Sequence, residues 1–173
     1  MHYAYRIGRY IWFFLIYSLL GAFVETLFRL ITEHRLYGVH GFLHLPIFPI
    51  YGIGALLIIF VLRNRVRHIV PLFFAGALLA TGLEFIAHWL IETVFHERIW
   101  DYSSSPFNID GRISLVSSIG FGLAAVLLVY FIHPWLEKMF DRLPNRVNVI
   151  VAIVVVLGLS IDIVSSIVER LSN

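Results

Sequence analysis

The chain has 173 residues, 60% of them hydrophobic and 16% aromatic, with only 14% charged, a formal net charge of +2 and a mean hydropathy of +0.87. Ordinary soluble domains are about 45–50% apolar, and here the apolar residues fall in runs long enough to cross a hydrocarbon layer about 30 Å thick, which excludes a soluble globular domain. The lack of Cys excludes disulfides, thiolate metal sites and cysteine nucleophiles, and the pI of 9.1 comes from basic residues set between apolar runs, a topological signal and no reason to expect a nucleic-acid partner.

The first run, YIWFFLIYSLLGAFVETLFRLI, begins at Tyr10 behind Arg6 and Arg9. It is too long for a signal peptide and carries Glu25 and Arg29 where a cleavage site would need small residues, so it reads as a retained transmembrane helix over 10–32. The connection EHRLYGVHGFLHLP follows, and the second span, 46–62, opens on Pro46 and Pro49, residues tolerated at a helix start and not in its middle. Its end is marked by RNRVRH. Further runs predict spans over 68–95, 113–134 and 147–168, each near the roughly 20 residues that a crossing helix needs. The expected fold is all-α: a polytopic transmembrane helix bundle of about five spans, one integral membrane domain over 1–173.

Five spans place Arg6, Arg9, Arg63, Arg65, Arg67, Lys138, Arg142 and Arg146 on one side, against Arg35, Arg98, Arg112 and Arg170 on the other. The positive-inside rule then puts the N-terminus in the cytoplasm and the C-terminus outside, in a membrane of the bacterial cytoplasmic type. The loop WDYSSSPFNIDGR, Trp100 to Arg112, is external on this reading.

At about 1.5 Å per residue, Glu25, Glu84 and Asp162 lie roughly 22, 24 and 22 Å along their helices from the cytoplasmic end. Arg29 and His88 follow their acids by four residues and share their faces. A charge at the bilayer centre costs about 2.5–3.5 kcal/mol on the lenient insertion scale, so such groups should face one another or a wet cavity. We therefore expect an outward-facing polar cavity lined by Glu25, Arg29, Glu84, His88, Arg112 and Asp162, beneath a loop supplying Trp100, Asp101, Tyr102 and Asn108. The structural alternative makes Glu25–Arg29 an ion pair, Glu84–His88 a buried hydrogen-bonded pair and Asp162 a cap for a stray donor. In the loop, Trp100 and Tyr102 also suit the aromatic belt, Asp110-Gly111 a turn, and Arg112 either two parallel bonds to a phosphate or carboxylate or snorkelling to lipid.

Asp101, Asn108 and Asp110 lack the order of a calcium loop, and His40, His44 and His88 lack any local zinc motif, so no metal or other cofactor is expected. No G-x-S-x-G elbow accompanies the serines. Gly76 with Ala80 and Gly120 with Ala124 have the small-xxx-small spacing that lets helices approach closely, within the chain or in a homo-oligomer.

The segments YSLLGAFVETLFR, HGFLHLPIFPIYGIGALL and LEFIAHWLIETVFHERIWDYSSSPFNIDGRISL together resemble the family of putative ABC-transporter permeases, type IV, of the CmpB kind, over residues 10 to 137. On that resemblance the matching positions are Glu25, Gly41, Pro46, Pro49, Tyr51, Gly52, Glu84, Trp100, Asp101, Tyr102, Pro106, Asn108, Gly111 and Arg112. Leu45 departs from the small residue expected before Pro46, and Asp162 lies beyond the stretch that resembles the family. The resemblance implies membrane transport. Lys138 is the only lysine and no G-x-x-x-x-G-K-[ST] loop surrounds it, so any ATPase would be a separate polypeptide. The reading that results is a permease-like protein handling an anionic or lipid-like substrate, with membrane lipid and a separate ATPase or other membrane subunit as partners. Two alternatives remain beside it: a membrane-embedded enzyme acting on a lipid head group, with Glu84 or Glu25 as base and Arg112 as electrostatic stabiliser, and a structural membrane subunit.

Overall fold

The computed structural model describes residues 2–33 and 43–172, with side chains for 7–27, 30 and 43–172. The Arg29 side chain, Gly41, Arg35 and His40 lie outside the described residues. Five helices account for nearly all of the rest: α1 (His2–Glu33), α2 (Pro49–Val61), α3 (Ile69–Phe95), α4 (Leu115–Phe140) and α5 (Asn145–Ser172). Among the described residues there is no strand beyond a single bridge between Ile109 and Ile113.

Four of these helices contain stretches long and apolar enough to cross a membrane, Ile7–Leu27, Ile69–Phe95, Leu115–Phe140 and Asn145–Ser172. The chain is an integral membrane protein by that measure. The second expected span is a shorter helix of 13 residues, about 20 Å long, starting at Pro49, where a missing N–H costs nothing. Pro134 does not end the fourth span, contrary to the expected boundary. Residues Leu128–Ile132 adopt a π turn just before it, which makes room for a ring that would otherwise meet the carbonyl of Tyr130, and the helix runs on to Phe140.

The chain forms two compact units, residues 1–53 with 138–173, and residues 54–137. In the first, α1 packs on α5, where a Cβ on Gly8 would lie 3.1 Å from the carbonyl oxygen of Asn148. Phe13, with Phe140 edge-on at 5.4 Å, is at the centre of its aromatic core, and Trp12 is tilted against the same Phe140 ring. Gly52 of α2 sits against the Ser18 hydroxyl and the Phe14 carbonyl of α1, so any side chain there would force the helices apart.

In the second unit α3 packs on α4 through Gly76 against Ala125 and Gly122 against Phe73, with Thr81 donating to Ser118 at 2.8 Å. Gly120 and Ala124, whose spacing also permits close helix approach, are exposed, and the α4 face turned to α3 carries Gly122 and Ala125. The small-xxx-small pattern recurs every few residues in such helices and cannot by itself fix rotation about the axis.

Candidate functional site

The 96–114 connection of the second unit is built by its own polar side chains. His96 ends α3 in the left-handed conformation (φ 56°) and donates its N–H back to the Glu92 carbonyl. The Asp101 carboxylate accepts the Ser103 backbone N–H at 2.9 Å and the Ser103 hydroxyl at 2.5 Å. These two donors, helped by the positive charge of Arg98, hold the Asp101 carboxyl below its usual range. Asn108 donates to the carbonyls of Ser103 and Ser105 and accepts from Gly111 N–H. Asp110 and Gly111 both have positive φ (52° and 68°) and form the expected turn, closed by Arg112 N–H on the Ile109 carbonyl at 2.9 Å. Gly111 is required twice over, because a Cβ there would also fall 2.5 Å from the Ser103 hydroxyl oxygen. Pro106 lies in a second turn, before the exposed Phe107 at φ 54°. Ser114 and Ser117 exchange side-chain and backbone bonds as a capping box and start α4.

Beneath this loop, Glu84, His88 and Glu92 succeed one another at intervals of four on one face of α3. Glu84 is 5% exposed and His88 2%. The expected Glu84–His88 hydrogen bond is not among their contacts. Glu84 accepts from the Tyr102 hydroxyl at 3.0 Å, while the Ser117 hydroxyl, 3.5 Å away, lies closer to the Ser114 carbonyl at 2.9 Å and is the weaker partner. The His88 Nε2 instead meets the Trp100 carbonyl at 3.0 Å, with the Trp100 ring edge-on at 5.0 Å, and Trp100 Nε1 donates to the Arg112 carbonyl at 3.0 Å. Trp100 and Tyr102 thus fasten the loop to α3 through its buried polar groups, a role that a membrane-interface aromatic belt does not include.

Arg112 is held on three sides. Its Nε and Nη2 donate to Glu92 Oε2 at 3.2 and 2.8 Å, its Nη1 donates to Asp110 at 2.9 Å, and its guanidinium lies 5.6 Å from the Phe85 ring centre. Arg98 donates to the other Glu92 oxygen at 2.7 Å, which raises the Arg98 pKa from its ordinary value. Two arginines and two carboxylates therefore form a charge-balanced cluster in which Glu92 is the shared member. Asp110 is the outermost, 67% exposed at its side chain against 17% for Arg112. Glu92 escaped the sequence reading, although its position four residues after His88 was the available signal.

In the first unit, Glu25 accepts from the Tyr51 hydroxyl at 2.8 Å, joining α1 to α2. Asp162 is 6% exposed on α5 and accepts the backbone N–H groups of His44 and Leu45, each at 3.2 Å, together with His44 Nδ1 at 3.1 Å. Glu169 takes His44 Nε2 at 2.8 Å, and the Ser166 hydroxyl lies 2.9 Å from Nδ1. Both carboxylates are satisfied together only by a doubly protonated ring. Glu169 first, and Asp162 after it, raise the His44 pKa above the usual 6.5. Asp162 thereby fixes residues 43–48, including Pro46, ahead of Pro49 and α2. Leu45 is accommodated because its side chain points outward, and only its backbone is held.

The Asp101, Asn108 and Asp110 side chains are engaged by Ser103, backbone groups and Arg112.

The family described as "Putative ABC-transporter type IV" matches residues 12–167, reaching into α5 and past Asp162. No curated protein and no solved structure matches the chain.

Proposed function

The chain belongs to the "Putative ABC-transporter type IV" family, whose match spans 12–167, and from that premise we propose that it is the membrane component of a transport system, with the 100–112 loop closing an outward-facing polar cavity for an anionic or lipid-like group. At the coarser level it is a transporter-like integral membrane protein. With the short α2 as a fifth crossing, the N-terminus lies in the cytoplasm and the C-terminus outside, in a bacterial-type cytoplasmic membrane, as the distribution of basic residues favours. ATP hydrolysis belongs to a separate subunit, and the outward-turned Gly120 and Ala124 offer close packing to another membrane subunit or a second copy.

The observation that carries this reading is the Arg112 guanidinium, oriented by Glu92 and balanced on its remaining side by the exposed carboxylate of Asp110. A planar guanidinium binds carboxylate and phosphate through paired N–H groups. An incoming oxyanion replaces Asp110 while Glu92 keeps the fork in place. Tyr102 and Glu84 secure the loop on α3, and Trp100, Asp101 and Asn108 keep its shape.

Gentle purification from native membrane followed by native mass spectrometry tests the proposal, with Arg112→Ala as the control. An anionic lipid or small anion retained by the wild type and lost from the variant is the expected result. A wild type that carries only a protein partner, equally in Arg112→Ala, would overturn it in favour of a structural subunit.

A further inference from the structure

His88 presents a buried nitrogen with an unused lone pair. Its Nε2 faces the Trp100 carbonyl, which can only accept, so Nε2 carries the hydrogen and the neutral ring keeps its lone pair on Nδ1. That Nδ1 is buried and has no hydrogen-bond partner. It points toward Glu92 Oε2, 3.7 Å away, the same oxygen that accepts both Nε and Nη2 of Arg112. The charged groups around His88 are Glu92 on α3, with Arg98 and Arg112 behind it, Asp101 in the loop, and Glu84 one turn below with its partner Tyr102. The α4 groups at that turn, Ser114 and Ser117, carry no charge.

We propose that His88 is a proton-binding residue coupled through Glu92 to Arg112, so that the site takes up an oxyanion of the phosphate or sulfate type together with one proton. This rests on the reading of Arg112 as the anion's anchor. A proton from solvent adds to the Nδ1 lone pair, and the new N–H donates to Glu92 Oε2. That oxygen has two lone pairs and already accepts two guanidinium N–H groups, so a third donor loosens the hold of Glu92 on Arg112. The cluster also gains one positive charge at the moment when Asp110 gives way to the ligand. Anion and proton therefore favour each other, and by linkage the effect is reciprocal. When the anion leaves, the Arg112 guanidinium, still held by Glu92, takes Asp110 back, and the proton on Nδ1 returns to solvent.

Sulfate and phosphatidylglycerol are suitable probes, because both keep a constant charge between pH 6 and 8, one as a free oxyanion and the other as a lipid head group. Binding of sulfate to the detergent-purified full chain, and of the chain to nanodiscs of phosphatidylglycerol against phosphatidylcholine, is measured at both pH values. Proton uptake is read by calorimetry in buffers of different ionisation enthalpy. We expect about tenfold tighter binding at pH 6 than at pH 8, within the usual range of site coupling, with net proton uptake. His88→Gln, whose amide can still donate to Trp100, should bind at both pH values about as weakly as the wild type does at pH 8, with no proton uptake. Wild-type binding that requires Arg112 but takes up no proton, or a His88→Gln protein that still takes one up, overturns the coupling and leaves the anion site standing. No Arg112-dependent binding of either probe overturns the anion site and the coupling with it. Since proton uptake is measured on the wild type, a poorly folding variant does not remove the test.

Discussion

Replacing Asp162 with Ala tests how the segment before α2 is held. The substitution removes the acceptor for two backbone N–H groups, those of His44 and Leu45, and one side-chain partner of His44. An orphaned buried donor costs about 1–3 kcal/mol. Both donors belong to exposed residues that water can reach once the carboxylate is gone, so the lower part of that range applies to each. The loss expected for Asp162→Ala is roughly 2–3 kcal/mol, read as the free energy of unfolding by SDS titration in mixed micelles. His44→Ala keeps both backbone bonds and should cost clearly less. It should also remove a pH dependence whose sign is fixed by the raised His44 pKa. The imidazolium contribution is fully present below the ordinary value of 6.5 and is lost as pH rises through the higher folded value. Asp162→Ala within about 0.5 kcal/mol of wild type, the scatter of ordinary surface substitutions, or an unchanged alkaline loss of stability in His44→Ala, would refute this account.

Gly76→Ala should destabilise by about 1–3 kcal/mol through overpacking on Ala125, whereas Gly120→Ala, with open space around it, should stabilise by about 0.5–1 kcal/mol; the same unfolding titration compares them. Asp101 contributes stability above its ordinary value of 3.8, and this is lost as pH falls through its lower folded value, so acid unfolding of the 100–112 loop, followed by Trp fluorescence, should lose that component in Asp101→Asn. Arg63 donates to both Glu137 oxygens, at 2.9 and 2.5 Å, and either single charge reversal should lower the melting temperature, with the double reversal Arg63→Glu, Glu137→Arg recovering part of the loss.

The apolar runs of the chain, with Pro49, the Arg clusters and the 100–112 loop, are enough to read an all-helical membrane protein and to nominate Glu25, Glu84, His88, Arg112 and Asp162. Those features are local, since hydrocarbon length and the cost of a buried charge act on each segment separately. The Asp110-Gly111 turn was legible for the same reason, because its positive φ values are a property of two adjacent residues. Partnership was not. Glu84 pairs with Tyr102 and not with His88, Glu25 meets Tyr51, and Asp162 holds the backbone at residues 44 and 45. Each bond joins residues 18 to 118 positions apart. Which α4 face meets α3 was equally undetermined, because Gly120 and Gly122 are both small and only the packing of Phe73 and Gly76 selects between them. Sequence spacing fixes which side chains share a helix face, but the distance and direction across to the next element, on which every hydrogen bond depends, exist only once the helices have packed.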